Sequence, residues 1–554
     1  MKTKRLSYIV LSIAILIAVN FISQQVFFRL DLTTDQRYTL SSNSKQITQE
    51  ITSPMVIDVF LEGDLPAEFR LLRSETKQLL EEIKINNEHI IINYINPLED
   101  EDTRERNVKA LTEAGLQPYV STSNSSSKVT QELIFPWAFA SYNNNTIKIS
   151  LLKQSITEDL RTQINASIEN LEYAFINAFQ QLSQPKNKTI AILKGNGQLN
   201  DIYIADFLKT IQPYYNIAPF TLDSVDTNPL KTLKDLTNYD LIISAKPNTA
   251  FSEKEKLVLD QYTMQGGKSI WLTEGVVMDK DSLYNSKGAS VSMLKDLNLN
   301  DFFFSYGARI NPVLVKDLFS APITLAIGEG SQSQLQPVQW QYAPLAASNP
   351  KHPITKNINL VKFDFASPID TLKSGPTSQI LLTSSGDTRL EGVPTQISLA
   401  SVTEPPNEAS YNAGKQPLAV LLEGQFKSVY KNRVLPFSLE HFNSESVPTQ
   451  MVIIGDGDFI KNGVRRNQPQ PLGFDPLTGT TFGNKEFLLN TVNYLLDDQG
   501  LIRIRSKSLK TAFLDENLIK SQRLKWQVIH IVLPLVVLGL FGFVFHYNRR
   551  RKNA

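Results

Sequence analysis

The chain has 554 residues, too many for one typical domain, and length alone points to two to four. A formal net charge of +1 provides no global field that would favour nucleic acid. Cysteine is absent, which excludes disulfides, cysteine nucleophiles and thiolate-ligated zinc.

Lys2, Lys4 and Arg5 precede an apolar run from Leu6 to about Ile22. A cleaved signal peptide has the same basic start and apolar core. This run is long, however, and bulky Phe21, Ile22, Phe27 and Phe28 stand where small residues would mark cleavage. The expectation is an uncleaved signal anchor within residues 1–29, its N-terminus held inside by the positive charge. At the other end, Trp526 to Tyr547 is long enough for a membrane core of about 30 Å and contains no Asp, Glu, Lys or Arg. Arg549, Arg550, Arg551 and Lys552 follow it, in the tail 548–554, and mark the cytoplasmic side. Two spans with both ends inside put everything between them outside, so the expected location is a bacterial inner membrane with the bulk periplasmic. The juxtamembrane linker 506–525, with Lys507, Lys510, Lys520, Arg523 and Lys525, opposes this orientation, but the terminal cluster is denser.

Residues 30–184 read as one α/β domain. Ser41 to Ser44 supply N-caps for a short helix carrying Ile47 and Ile51. Met55 to Leu61 alternates as a strand, Pro66 to Ile85 has a helical period, and His89 to Ile95 returns to strand. A short helix over Glu105 to Ala114 follows. Glu132 to Tyr142 and Thr146 to Leu152 then form a hairpin about Asn143-Asn144-Asn145, before a long helix with Ile164, Ile168, Leu171, Phe175 and Phe179 on one face. The order β-α-β-α-β-β-α is the thioredoxin arrangement. Without cysteine its redox reaction is impossible, which leaves a binding or structural module.

Residues 185–505 alternate short apolar strands (Thr189 to Leu193, Tyr239 to Ser244, Ser269 to Leu272) with helices, one of them opened by a Ser252/Glu255 capping box. This pattern predicts a doubly wound parallel sheet, glutamine-amidotransferase-like or flavodoxin-like. About 282–417 is rich in Pro, Ser and Asn and reads as a large, partly β insertion. Core strands resume at Leu418 to Leu422 and Met451 to Ile454, then a helix over Lys485 to Leu496 and an edge strand at Leu501 to Arg505.

Candidate chemistry gathers at strand ends. Gly195-Asn196-Gly197 lies between a strand and a helix, where such sheets bind ligands and where glycines let a backbone approach an anion. A tight turn asks for the same residues. Asp456 and Asp458 follow the strand ending at Ile454 and carry the oxygens that Mg²⁺ or Ca²⁺ favours, although Asp with Gly is also common turn chemistry. Glu274 ends another core strand and could join the same cleft. His352 reads as a surface turn residue. There is no G-x-S-x-G nucleophile elbow and no Walker A pattern, so no catalytic residue, metal or cofactor is assigned.

Several stretches together resemble a known family. They are Arg29-Leu30-Asp31-Leu32-Thr33, Arg37-Tyr38-Thr39-Leu40-Ser41, Ile190 to Gly197, Tyr306-Gly307-Ala308-Arg309-Ile310-Asn311, His352-Pro353-Ile354-Thr355 and the single C-terminal span. Over nearly the full length the chain resembles the gliding-motility ABC transporter component GldG and its relatives among ABC-transport auxiliary proteins. The resemblance implies a non-enzymatic partner of a membrane permease and a cytoplasmic ATPase, embedded in lipid and engaged in gliding; it carries over no ligand residues. Two other readings stand beside it: a periplasmic metal-dependent hydrolase or carbohydrate-acting enzyme using Asp456 and Asp458, and a structural module whose insertion meets a cell-envelope partner.

Overall fold

The computed structural model describes residues 39–125, 128–327, 333–373, 375–506 and 516–553, with isolated positions 16, 17 and 20. The expected N-terminal anchor, its charges Lys2, Lys4 and Arg5, and the linker residues Lys507 and Lys510 lie outside the described residues. The chain divides into two units, Met1–Ser508 and Leu509–Ala554.

In the first unit, Ser41 caps helix α1 (Ser42–Gln49) by accepting from the Ser44 N–H at 3.2 Å. Next come β1 (Met55–Val59), α2 (Ala67–Asn86), β2 (Ile90–Tyr94), α3 (Arg104–Glu113), β3 (Tyr119–Ser125), β4 (Lys128–Ile134), β5 (Trp137–Tyr142), β6 (Asn145–Ser150) and α4 (Leu160–Ser183). A four-stranded sheet has the order β2-β1-β5-β6, with β1 and β2 parallel and the other pairs antiparallel. Asn143 and Asn144 at φ 46° and 65° make the two-residue turn between β5 and β6, a conformation asparagine tolerates. The single strand expected over Glu132 to Tyr142 is in fact two. Pro136, which has no N–H, breaks it, and β4 pairs with β3 in a separate ribbon.

The larger sheet begins with β7 (Thr189–Lys194), α5 (Asp201–Ile211), β8 (Asn216–Thr221), α6 (Pro229–Leu236), β9 (Leu241–Ala245), α7 (Glu253–Met264) and β10 (Lys268–Leu272). It continues with β11 (Ser320–Ile327), β12 (Gln334–Ser348), β13 (Thr377–Thr383), β14 (Pro417–Gly424) and β15 (Thr449–Ile454), followed by helix α8 (Asn484–Leu496). Its order is β11-β12-β13-β14-β15-β10-β9-β7-β8. From β15 to β8 all pairs are parallel; from β15 to β11 all are antiparallel. The alternation of each strand feeds two cores. Ile190, Ile192, Val452 and Ile454 pack with Phe207 and Phe487 on one face; Ala191, Leu193, Met451 and Ile453 pack with Phe251, Trp271 and Tyr306 on the other.

Of the segment about 282–417, strands β11, β12 and β13 extend the main sheet. Two expectations change here. Strand β14 runs antiparallel to β15, since a fully buried apolar strand reads alike in either direction. Leu501 to Arg505 is a 3-10 turn (Leu501–Ser506) rather than an edge strand: the Asp497 carboxylate accepts from the N–H groups of Gln499, Leu501 and Ile502 and curls the chain.

That turn lies where the unit begins. The Asn43 amide donates to the Gln499 carbonyl. Glu172 on α4 accepts from the Ser41 N–H at 2.8 Å and the Ser44 hydroxyl at 2.7 Å. The adjacent Tyr173 carries the Arg505 guanidinium over its ring at 5.1 Å. Arg505 is buried and also donates to the carbonyls of Pro353 and Lys356 and to Glu486 at 3.1 Å, on the same oxygen that Lys153 meets at 2.5 Å. His352-Pro353-Ile354-Thr355 is therefore part of the socket for Arg505, and His352 is buried against Tyr494, not a surface turn residue.

In the second unit, one helix, α9 (Glu516–Asn553), contains the apolar run, Pro534 and the basic residues on both sides of it. Lys520, Arg523 and Lys525 occupy its first turns rather than a linker. Ser521–Arg551 is long and apolar enough to cross a membrane.

Candidate functional site

The carboxyl ends of β7, β9, β10 and β15 stand side by side because the four strands are parallel neighbours; residues singled out above follow β7, β10 and β15, and Lys246 follows β9. Gly195 and Gly197 take φ of 107° and 70°, which glycine adopts without strain. A Cβ on Gly195 would sit 2.7 Å from an Asp223 oxygen, and one on Gly197 would sit 3.1 Å from Asn248 and Thr249. Both glycines thus permit close packing of loop on loop. Asn196 is buried between them; its carbonyl accepts from the N–H groups of Asn248 and Thr249, and its side-chain amide donates to Glu255 at 3.2 Å.

Five of the six candidate residues, Asn196, Gly197, Glu274, Asp456 and Asp458, are joined through hydrogen bonds and the Gly457 peptide. The Asn248 amide donates to the Gly197 carbonyl at 3.1 Å. Lys295 donates to Asn248 and to Glu274, each at 2.8 Å. The second Glu274 oxygen accepts from the Gly457 N–H at 2.5 Å, between the two aspartates. Asp456 is buried and uses both oxygens on backbone, accepting from the N–H groups of Asp458 and Asp364 at 2.7 Å each. Asp458 pairs with Lys246 at 2.5 Å. Lys246, at φ 51°, is the residue immediately after β9.

Burial pushes the Asp456 carboxyl well above the usual range, and the nearby Asp458, Asp364 and Glu274 push the same way. Burial also raises Asp458, against the pull of Lys246. For Lys246 the balance reverses: burial would lower it, and the carboxylates of Asp458 and Glu274 outweigh burial and raise it. Among the described residues, no group of three or more His, Asp or Glu could hold a metal ion.

Beside the aspartates opens a cleft of about 250 Å³, lined by Lys280, Lys362, Asp364, Lys461, Asp475 and Asn484 among others. Lys280 meets Asp364 at 2.6 Å, Lys362 meets it at 3.6 Å, and Lys461 lies 3.2 Å from Asp281 and 3.8 Å from Asp458. None of these lysines was singled out from sequence. Lys246 had a signal, its place directly after a core strand; Lys280 and Lys362 reach the cleft from stretches of no recognisable pattern.

The fold and site define a class: an α/β protein with a built strand-edge cleft and a C-terminal helix fit to span a membrane. The model of a family described as an ABC-type uncharacterized transport system matches residues 187–491, more than half of the chain, and the chain belongs to that family. It is thereby a component of an ABC-type transport system, associated with a membrane and with other transporter components. A domain of unknown function, DUF7088, matches residues 34–141. No curated protein matches. Among solved structures, the N-terminal domain of mmIFT52 is similar at 13% identity and a TM-score of 0.31, covering 56% of this chain and 98% of that one.

Proposed function

We propose that the chain is a non-enzymatic, membrane-anchored subunit of an ABC-type transport complex, with both termini cytoplasmic and the large unit periplasmic. In this reading the spans dock on a permease, and the large unit binds a partner or substrate and moves with the ATPase cycle. Surface gliding is the process we assign to it, on the strength of its resemblance to GldG.

The observation that carries the reading is the clasp on α4. Consecutive residues, Glu172 and Tyr173, hold the segment that enters the unit (Ser41 and Ser44) and the segment that leaves it (Arg505). A displacement imposed at either end is delivered to one helix, which packs on the four-stranded sheet and against the 3-10 turn, and that suits a subunit that conveys motion. The residue roles at the strand edge agree with this: Asp456 spends one oxygen on its own loop and the other on the backbone of Asp364, a positioning task.

Purification of the full chain from native membranes in mild detergent tests the proposal. Co-elution of a permease and an ATPase is expected. Recovery of a stable, lone protein, or loss of cellular function on replacing Asp456 and Asp458 while the complex and the fold stay intact, would overturn it.

A further inference from the structure

We infer that the groove between α5 and β8 is the docking site for an amphipathic, acidic helix of another component of the transport complex. The groove holds about 880 Å³ and is floored by Ile202, Ala205, Leu208, Ile217, Pro219 and Pro469. It exists because the helix layer stops short of the sheet edge. On this face α8 and α5 pack together, burying Phe487 and Leu488 from one and Ile204 and Phe207 from the other. Strand β8 is the last of the parallel strands, and on it Pro219 is exposed and Ile217 only half-buried. Parallel strands ordinarily have both faces covered. A helix lying beside α5 would complete the layer.

Two observations identify the occupant. First, the free edge of β8 is ill-suited to a further strand. The Asn216 N–H donates inward to the Lys188 carbonyl at 3.0 Å, so the alternate residues Ile217, Pro219 and Thr221 face outward, and Pro219 has no N–H to offer there. What fits is a helix laying an apolar stripe into the groove. Second, the rim sets the charge of that helix. Lys186, Lys194 and Lys209 line the groove against one acidic residue, Asp201, which Lys194 meets at 2.7 Å. Lys186 donates to the Gln212 carbonyl, which does not neutralise it, and Lys209 is exposed. The next acid along α5, Asp206, is held by Lys485 at 2.6 Å. Pro469 belongs to a hairpin, Val464–Arg465 with Gln468–Pro469, whose exposed Arg465 and Arg466 add the same sign. An apolar floor under a positive rim complements acidic residues flanking an apolar stripe. A flat bilayer surface cannot enter a groove.

The inference rests on the reading of the chain as a transport-complex subunit, and its test separates the two. A photoreactive benzoylphenylalanine replaces Gln212, an exposed residue that lines the groove, in the full chain. Native membranes are irradiated, and the adduct is purified and mapped by mass spectrometry. The expected adduct is to a helix of a co-eluting component, with an apolar stripe and net negative charge. Lys209→Glu/Arg465→Glu reverses two exposed cations and should reduce the adduct at least tenfold; a circular dichroism melt checks that this variant folds as the parent does. An adduct to lipid, to a non-acidic segment, to a second copy or to another segment of this chain overturns the inference, as does an undiminished adduct in the folded double variant. Co-elution of components with no adduct also overturns it and leaves the transport-complex reading standing. Absence of co-elution overturns that reading and this one together.

Discussion

Asn43 and Gln499 stand 456 positions apart in the chain and are joined by a hydrogen bond, side-chain amide to backbone carbonyl. The start and the finish of the large unit are thus one place. A Cβ on neighbouring Gly500 would press to 2.7 Å from the Asn43 amide, so the fit is close from both sides.

This contact can be trapped covalently, because the chain has no cysteine to interfere. In an Asn43→Cys/Gln499→Cys variant, a short bismaleimide should cross-link nearly all of the folded protein, read as a mobility shift in a denaturing gel. Either single variant should give no shift, and prior unfolding in urea should abolish it.

Arg505 is buried with two carbonyls, one carboxylate and one aromatic face as partners. Burial would raise the Glu486 carboxyl, yet Lys153 and Arg505 outweigh burial and hold it below the usual range. Removing the guanidinium strands buried partners, so Arg505→Ala should cost about 3–5 kcal/mol of stability. Arg505→Lys keeps the charge but loses the planar fork and should fall between the two. Urea unfolding followed by tryptophan fluorescence gives the comparison.

At Gly457 a Cβ would overlap a Glu274 oxygen and the Lys246 stem. Gly457→Ala must therefore break the Glu274 bond or push Lys246 away from Asp458. A loss of about 1–3 kcal/mol is expected from the stranded buried groups. Gly463→Ala, whose Cβ would meet only the Gln470 side chain at ordinary contact distances of 3.6–3.7 Å, should stay within about 0.5 kcal/mol of the parent. Thermal melts of the two variants separate a site-specific effect from a general dislike of alanine.

Burial lowers the His352 pKa from its ordinary 6.5, against a smaller upward pull from Glu423. The folded value is below the unfolded one, so on acidification the unfolded chain takes the proton first. The stability from neutral His352 is full above about pH 6.5 and declines as pH falls below that value. His352→Gln should lower stability at pH 7.5 yet make it less steep between pH 7 and 5, measured as urea midpoints at each pH. An unchanged slope would rule out His352 as a source of acid sensitivity.

Much of the secondary structure was legible because it is written in local periodicity. The Ser252/Glu255 capping box appears as a box, Ser41 is an N-cap, and the asparagine turn joins its two strands. Where reading failed, local pattern was silent or ambiguous. Strand β8 was missed because it is a half-exposed edge with Pro219 inside it. Helix α6 had a signal that went unused, Asn228 as N-cap followed by Pro229.

The candidate site divides in the same way. Gly195, Asn196, Gly197, Glu274, Asp456 and Asp458 were found because each follows a strand, and strand ends can be read from sequence. That Asn196, Gly197, Glu274 and the loop of the two aspartates are joined through Lys295, Asn248 and the Gly457 N–H could not be read, since those partners come from loops distant in sequence.

By itself the sequence determined the apolar stretch fit to cross a membrane, the alternation of strands and helices, and the exclusion of all thiol chemistry. Those properties depend on the run length, period and presence of residue types, which are local. Only the tertiary structure decided that β14 is antiparallel, that 282–417 contributes strands to the main sheet, that the two ends of the large unit meet on α4, and that three lysines share one cleft. Pairing direction and long-range contact are set by which buried surfaces and charges satisfy each other in space, and a linear pattern carries no record of that choice.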